Sequence, residues 1–151
     1  MLPRIHILIG LIISTILFFI FPEINLIEAT IIFLSSFLID FDHYLYYVFK
    51  FKEFKVGEIY RIIRKKGKEF KELSIKERKK YSTGFFCFHG IESIIIALVL
   101  GYSIHHYFYF VGVGIFIHLI FDWIYLKYKK QRFFKLSIIY DYIKNKTLKL
   151  I

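Results

Sequence analysis

The segment from Tyr107 to Leu126, YFYFVGVGIFIHLIFDWIYL, decides which class of fold this chain can adopt. An α-helix needs about 20 consecutive apolar residues to cross the hydrocarbon core of a bilayer. Apart from tyrosines, the ionisable side chains of this segment are His118 and Asp122, which are four residues apart and therefore share one helical face. We predict a transmembrane helix that carries a polar pair inside the membrane.

Three more apolar segments extend the same pattern along the chain. Of the 151 residues, 57% are hydrophobic, and the mean hydropathy of +0.54 is high for a soluble domain. The length is that of one domain. We predict an all-α, polytopic membrane protein that forms a single membrane domain over residues 1–151. Its four transmembrane helices are expected at about 5–21, 24–47, 83–103 and 105–126.

The basic residues indicate the orientation of these four spans. Of the 22 Lys and Arg residues, 13 lie in 50–82, eight lie in 127–149 and one is Arg4. Lys and Arg beside membrane helices are retained on the cytoplasmic side. We therefore expect an integral protein of the cell membrane (an inner membrane) whose N- and C-termini are both cytoplasmic. The same reasoning predicts a basic, amphipathic cytoplasmic loop at 50–82 and a similar cytoplasmic tail at 127–151.

Ionisable side chains recur inside all four predicted spans. A charge at the centre of a bilayer costs about 2.5–3.5 kcal/mol on the insertion scale, so such residues indicate function. With a helical rise of about 1.5 Å per residue, most of these groups fall at similar depths in the cytoplasmic half of the membrane. The groups at this depth are His6 on the first span, Asp40, Asp42 and His43 on the second, His89 and Glu92 on the third, and His118 and Asp122 on the fourth.

Histidine and carboxylate side chains that converge at one depth are typical of a metal site. Zinc accepts His nitrogen and Asp or Glu oxygen, and manganese or iron accept the same donors. A bound metal can lower the pKa of its water to about 7 and make hydroxide available for attack. We predict a divalent metal, with zinc as the first choice, and ligands drawn from His6, Asp40, Asp42, His43, His89, His118 and Asp122.

Two of the acidic residues are also candidate catalytic groups. Glu92 is the expected general base, unless it is a ligand or the partner of a neighbouring histidine. Asp42 is the second catalytic candidate, and it lies about 200° around a regular helix from Asp40, so the two cannot share a face. Either the helix loosens at this point or Asp42 supports a ligand from behind, and the sequence leaves both possibilities open.

The order of these motifs resembles the membrane-bound metal-dependent hydrolases, a family that includes an SOS-regulated inner-membrane protein and is distantly similar to helical zinc-dependent phospholipases C. The family's His-Arg-Gly-x-Thr-His-Ser signature is not present as such, because only His89 can be matched and Gly84 stands where the other histidine would fall. The resemblance implies hydrolysis, with a phosphoester as the expected bond. The matching positions are His6, Leu38-Ile-Asp-Phe-Asp-His43, Phe88-His-Gly90 and His118 to Asp122.

Other functions fit the same residues. A metal or proton transporter would use these ligands to carry its cargo, although runs such as 94–100 and 16–21 offer no polar path to the other face. A membrane-organising subunit would keep a structural metal. The basic loop and tail either set the topology alone or gather an anionic, amphipathic lipid substrate at the site. Membrane lipid is the expected partner, nucleic acid is not expected, and the oligomeric state is left open.

Overall fold

The protein is helical, which confirms the predicted all-α class. The computed structural model describes residues 3–78, 81–82, 86, 88–128, 137, 139, 142–143 and 149–150. The described helices are α1 (Pro3–Ile20), α2 (Leu26–Leu38), α3 (Phe41–Phe51), α4 (Val56–Glu72), α5 (Ile75–Arg78), α6 (Ile91–Ser103) and α7 (Tyr107–Tyr128). Two short segments, β1 (Tyr81–Ser82) and β2 (Lys149–Leu150), pair as parallel strands, with Tyr81 opposite Lys149.

The turn between α1 and α2 is built from residues that end one helix and begin the next. Pro22 follows α1, and proline cannot continue a helical hydrogen-bond pattern. Asn25 then caps α2, because its side-chain oxygen accepts the backbone N–H of Glu28 at 3.0 Å. The Glu28 carboxylate in turn accepts the backbone N–H of Asn25 at 2.8 Å. This capping box satisfies N–H groups that a helix start leaves without partners.

Helices α2 and α7 form the centre of the bundle. α2 packs against α1 and α7, and α7 also contacts α6 and α1. The fully buried Ile32 and Leu119 belong to this core. A Cβ atom at Gly114 would lie 2.5 Å from the carbonyl oxygen of Ile32 and would collide with the hydroxyl of Ser35. The close approach of α7 to α2 therefore depends on the absence of a side chain at Gly114.

The second predicted span is not one continuous helix. A turn at Ile39–Asp40 separates α2 from α3, so the expected uninterrupted helix over 24–47 is wrong. Asp40 is the N-cap residue of α3, but its carboxylate caps no helical N–H, since it contacts histidine side chains instead. The turn allows Asp40 and Asp42 to approach the same histidine, which a regular helix would not permit.

The third predicted span begins later than expected. Its helix, α6, starts at Ile91 rather than at 83, and residues 83–85 and 87 lie outside the described part of the chain. Gly90 is the N-cap residue of α6 and has an extended backbone. His89 therefore lies on an irregular segment immediately before the helix, where its ring is not tied to a helical face.

Helix length distinguishes α7 from the other apolar helices. Among the described helices, α7 alone is long and apolar enough to cross a bilayer by itself, whereas the apolar stretches Ile5–Ile20 and Ile91–Ser103 are shorter. The bounds of α1 and α7 agree with the predicted spans 5–21 and 105–126 to within two residues. The prediction of four full-length membrane spans is not confirmed by helix length.

The predicted basic loop at 50–82 contains two helices, α4 and α5. The longer one, α4, packs against α3. Ile59 of α4 is buried, while Val56 and Tyr60 of the same helix are exposed. Its basic residues, from Arg61 to Lys71, are interleaved in sequence with Ile62, Ile63 and Phe70, as expected for an amphipathic helix. Most of the predicted tail at 127–151 lies outside the described residues.

We expect Gly114→Ala to destabilise the bundle, because the new Cβ meets a backbone carbonyl that cannot rotate away. Overpacking of this kind costs about 1–3 kcal/mol. Thermal unfolding of the detergent-solubilised protein, followed by circular dichroism, measures the effect. Gly112→Ala is the matched control, since a Cβ there would lie 3.4 Å from the Cβ of Ala97, which is an ordinary contact. Equal stability of the two variants would contradict the proposed role of Gly114.

Candidate metal centre

Seven His and Asp side chains gather at one end of the bundle. Five of them are buried, whereas the side chains of Asp40 and His43 are 18% and 26% exposed. The cluster therefore has a closed side and an open side. Its members are His6 from α1, Asp40 from the turn before α3, Asp42 and His43 from α3, His89 from the segment before α6, and His118 and Asp122 from α7.

The donor atoms of six of these residues fall into two groups of three. Within each group, one nitrogen or oxygen atom from every residue lies within 4.8 Å of the others. We call His6, His118 and Asp122 the inner group, because all three are buried. We call Asp40, His43 and His89 the outer group, because two of its members are partly exposed.

The inner group is held by α1 and α7. Nε2 of His6 lies 3.3 Å from Oδ1 of Asp122, and Nε2 of His118 lies 3.8 Å from Oδ2 of the same carboxylate. The rings of His6 and His118 stack with their centroids 4.2 Å apart. The i, i+4 spacing of His118 and Asp122 places both on one face of α7, as the sequence predicts.

The outer group lies directly beside the inner one. Oδ1 of Asp40 is 3.4 Å from Nε2 of His89 and 3.6 Å from Nε2 of His43. The Nε2 atoms of His43 and His89 are 3.2 Å apart. Nε2 of His118 joins the two groups, since it lies 3.2 Å from Nε2 of His89 and 3.7 Å from Oδ1 of Asp40.

Hydrogen bonds behind two of the rings determine which nitrogen faces the cluster. Nδ1 of His89 donates to Oδ2 of Asp42 at 3.0 Å, and Nδ1 of His118 donates to the carbonyl oxygen of Ser36 at 2.8 Å. A carboxylate and a carbonyl can only accept, so both Nδ1 atoms carry the hydrogen and, in neutral rings, both Nε2 atoms present lone pairs. Two lone pairs that face each other at 3.2 Å repel unless a proton or a metal cation lies between them.

Asp42 accepts a hydrogen bond from Nδ1 of His89, the ring nitrogen that points away from the cluster. Its Oδ2 also accepts the backbone N–H of Phe88 at 3.1 Å, so the carboxylate and the ring are both fixed. A carboxylate in this position orients a ligating histidine and raises its basicity. The helix is interrupted before Asp42, and Asp42 accepts a hydrogen bond from His89, whereas its role in metal binding stays a prediction. Oδ1 of Asp42 is buried and has no hydrogen-bond partner among the described residues.

The negative charge of the carboxylates and the buried atoms without hydrogen bonds both favour a bound divalent cation. Within the described residues, the ion pairs of Asp40 and Asp42 are with histidines. Nε2 of His6 is buried, and no described group forms a hydrogen bond with it. Buried charges and lone pairs without partners are costly, and a cation would satisfy them together. The nitrogen and oxygen donors suit zinc, manganese or iron.

Glu92, the expected general base, belongs to neither group of donors. It lies in the first turn of α6. The hydrogen bonds described for it come from the tail: the hydroxyl of Ser137 and the backbone N–H of Ile139 both donate to Oε1 of Glu92. The catalytic roles of Glu92 and Asp42 therefore stay predictions.

Two backbone groups in the site were missed by reasoning from residue types. The Ser36 carbonyl orients His118, and the Phe88 N–H holds Asp42. Every residue carries a backbone carbonyl and almost every one an N–H, so no residue type marks them. An indirect signal existed for Ser36, because the last four carbonyls of a helix lack helical partners and α2 ends at Leu38.

Comparisons with known proteins do not assign this chain to a family. A scan against protein-family models, a search of curated proteins and a search of solved structures each found no match. The resemblance to membrane-bound metal-dependent hydrolases rests on the positions of the His and Asp residues, and it stays a prediction.

We expect Asp42→Asn to weaken metal binding while the helices persist, because a neutral amide no longer reinforces the basicity of His89. Loss of such a supporting carboxylate costs about 10–100-fold in metal affinity. Competition with a chromogenic chelator measures the affinity in detergent. Glu28→Gln is the matched control, since Glu28 is a buried carboxylate at the other end of α2 and glutamine keeps its capping role. Wild-type affinity in Asp42→Asn would exclude the supporting role.

Proposed function

We propose that this protein is a membrane-embedded, metal-dependent hydrolase whose metal centre opens at the cytoplasmic side. The observation that carries the proposal is the pair of Nε2 lone pairs of His89 and His118, which face each other at 3.2 Å beside Asp40. The hydrogen bonds to Asp42 and Ser36 hold the rings in this orientation. When bound, a divalent metal at such a site supplies Lewis acidity and activates water near neutral pH.

An apolar exterior around a partly polar interior supports a membrane location. Large apolar side chains on α1 and α6 are exposed, including Leu8, Phe19, Ile95 and Val99. Soluble bundles show the opposite arrangement, and exposed apolar surface of this extent favours contact with lipid. The buried polar side chains are His6, Ser14, Glu28, Ser36, Asp42, His89, Ser93, His118 and Asp122.

The proposed topology has four crossings, two of which are interrupted at the metal centre. In this proposal α7 crosses as a full-length helix and α1 as a shorter one, whereas the α2 and α6 crossings include the turn at Ile39–Asp40 and the segment 88–90. Non-helical backbone is tolerated at membrane depth where it is enclosed by protein or lines a water-filled cavity. In sequence, the basic segments 50–82 and 127–149 begin at the C-terminal ends of α3 and α7, which favours a cytoplasmic site and cytoplasmic termini.

The open side of the cluster favours catalysis over transport. Asp40 and His43 are the partly exposed donors, so a substrate can approach from the end of the bundle. On the closed side, α2 and α7 meet around buried Ile32 and Gly114, and the described metal-ligand groups do not extend beyond the cluster. A transporter needs a route to the other face, whereas a catalytic metal site needs one open position.

The proposed reaction is hydrolysis of an ester or phosphoester in an amphipathic substrate. The oxygen of water forms a new bond to phosphorus or to the carbonyl carbon, and the bond to the leaving alcohol breaks. One proton of the water finally resides on that alcohol. Glu92 is the group we propose to accept this proton and pass it on. Asp42 keeps the ring of His89 oriented throughout.

Positive charge at the open end favours an anionic substrate. α4 carries exposed Arg64, Lys65 and Lys68 and packs against α3. Burial lowers the pKa of Lys50, and the nearby charge of Lys66 on α4 lowers it further. An anionic headgroup would complement the exposed basic residues of α4, so the phosphoester of an anionic lipid is the substrate class that we propose.

Metal content and hydrolysis, measured on the same detergent-purified protein, test this function. We expect bound zinc, manganese or iron by plasma mass spectrometry, and faster hydrolysis of phosphatidylglycerol than of phosphatidylcholine in mixed micelles. His118→Ala is expected to bind less metal and to lose activity while circular dichroism still reports helices. A wild-type protein that binds no metal even after reconstitution would refute the proposal. Bound metal without hydrolysis would favour the transporter or the membrane-organising subunit.

Glu92→Gln separates proton transfer from metal binding. Loss of a general base typically lowers the rate about 10²–10⁴-fold. We therefore expect a lower kcat for phosphatidylglycerol with the metal content unchanged. Glu72→Gln, which changes an exposed glutamate of α4, is the control and should keep the wild-type kcat. A wild-type kcat in Glu92→Gln would remove Glu92 from the mechanism and leave the metal centre in place.

A further inference from the structure

The two carboxylate oxygens of Asp40 face different groups of candidate metal ligands. Oδ1 lies 3.4 Å from Nε2 of His89 and 3.6 Å from Nε2 of His43, both in the outer group. Oδ2 lies 4.0 Å from Nε2 of His6, which belongs to the inner group. Neither oxygen caps the helix that Asp40 begins, so both are available to the cluster.

The number of donors matches two metal ions better than one. A catalytic zinc ion takes three protein ligands and keeps one open position. The structure provides three donors in the inner group and three in the outer group. The groups adjoin through the Nε2 atoms of His118 and His89 at 3.2 Å. Paired metal ions in hydrolytic enzymes lie about 3.5–4 Å apart, so adjoining ligand groups are what such a pair requires.

We infer that the centre binds two divalent metal ions, one in the inner and one in the outer group, and that Asp40 bridges them. The inference rests on the proposed metal-dependent function and adds the number of ions and the identity of the bridge. The surroundings of His6 support it separately: its buried Nε2 forms no hydrogen bond among the described residues and lies 3.3 Å from an Asp122 oxygen. A metal in the outer group alone would leave this nitrogen unsatisfied.

The two positions differ in their access to solvent. The side chains of the inner group are buried, whereas Asp40 and His43 of the outer group are partly exposed. The outer ion therefore exchanges with solvent and chelator faster than the inner ion. It is also the ion that faces the open end of the bundle, so the substrate meets the outer position first.

Manganese loading of the full-length, detergent-purified protein tests the inference without any assay of activity. The metal-free protein is titrated with Mn²⁺, the bound ions per chain are counted by plasma mass spectrometry, and their magnetic coupling is followed by electron paramagnetic resonance. We expect two Mn²⁺ per chain with an exchange-coupled signal. A brief treatment with chelator should leave one ion, with the signal of isolated manganese.

Single substitutions then assign the positions. His6→Ala should keep one uncoupled ion in the outer group, and His43→Ala should keep one in the inner group. Asp40→Asn should lose the coupled signal, because a neutral amide does not bridge two ions. Glu28→Gln, at the other end of α2, should behave as wild type and controls for nonspecific effects of changing a buried carboxylate. Circular dichroism verifies that each variant keeps its helices.

Several results would overturn the inference. One ion in the wild-type protein that is lost in both His6→Ala and His43→Ala would indicate a single shared site. Coupled ions in a folded Asp40→Asn variant would exclude Asp40 as the bridge. These results leave the hydrolase proposal standing if the protein still hydrolyses its lipid substrate. Two coupled ions without hydrolysis would instead support the paired centre and refute the proposed function.

Discussion

Four imidazoles and three carboxylates lie together at one end of an apolar bundle, and the cost of placing them there shapes the rest of the structure. Polar groups away from water are costly unless they are paired. Part of the pairing comes from Asp42 and from the Ser36 carbonyl, which accept the Nδ1–H groups of His89 and His118. These bonds leave both Nε2 atoms facing inward, so the contacts that stabilise the buried rings also shape the candidate cation site.

The interruption of two helices follows from the same requirement. In a regular helix, Asp40 and Asp42 would point about 200° apart. The turn at Ile39–Asp40 brings their carboxylates to opposite nitrogens of His89, at 3.4 Å and 3.0 Å. His89 itself precedes α6 on irregular backbone. Both interruptions lie at the donor cluster, where enclosed polar groups can satisfy the backbone that a helix would otherwise pair.

Helix packing and ligand geometry are coupled through α7. Gly114 and His118 are four residues apart and share the face of α7 that meets α2. The close approach at Gly114 brings the Ser36 carbonyl within 2.8 Å of the His118 ring. A change in the spacing of α2 and α7 would therefore alter the orientation of a proposed ligand. The stability of the bundle and the geometry of the centre depend on the same contact.

Local properties of the sequence determined the helical class, the bounds of α1 and α7, and the His and Asp residues that share the cluster. Apolar run length and the i, i+4 spacing of His118 and Asp122 are such properties, since they involve residues close in the chain. The tertiary structure alone decided where the predicted helix over 24–47 breaks, which imidazole nitrogens face the cluster, and that Glu92 contacts the tail. These features depend on contacts such as that of Asp42 with His89, between residues far apart in sequence, and no local pattern encodes such a contact.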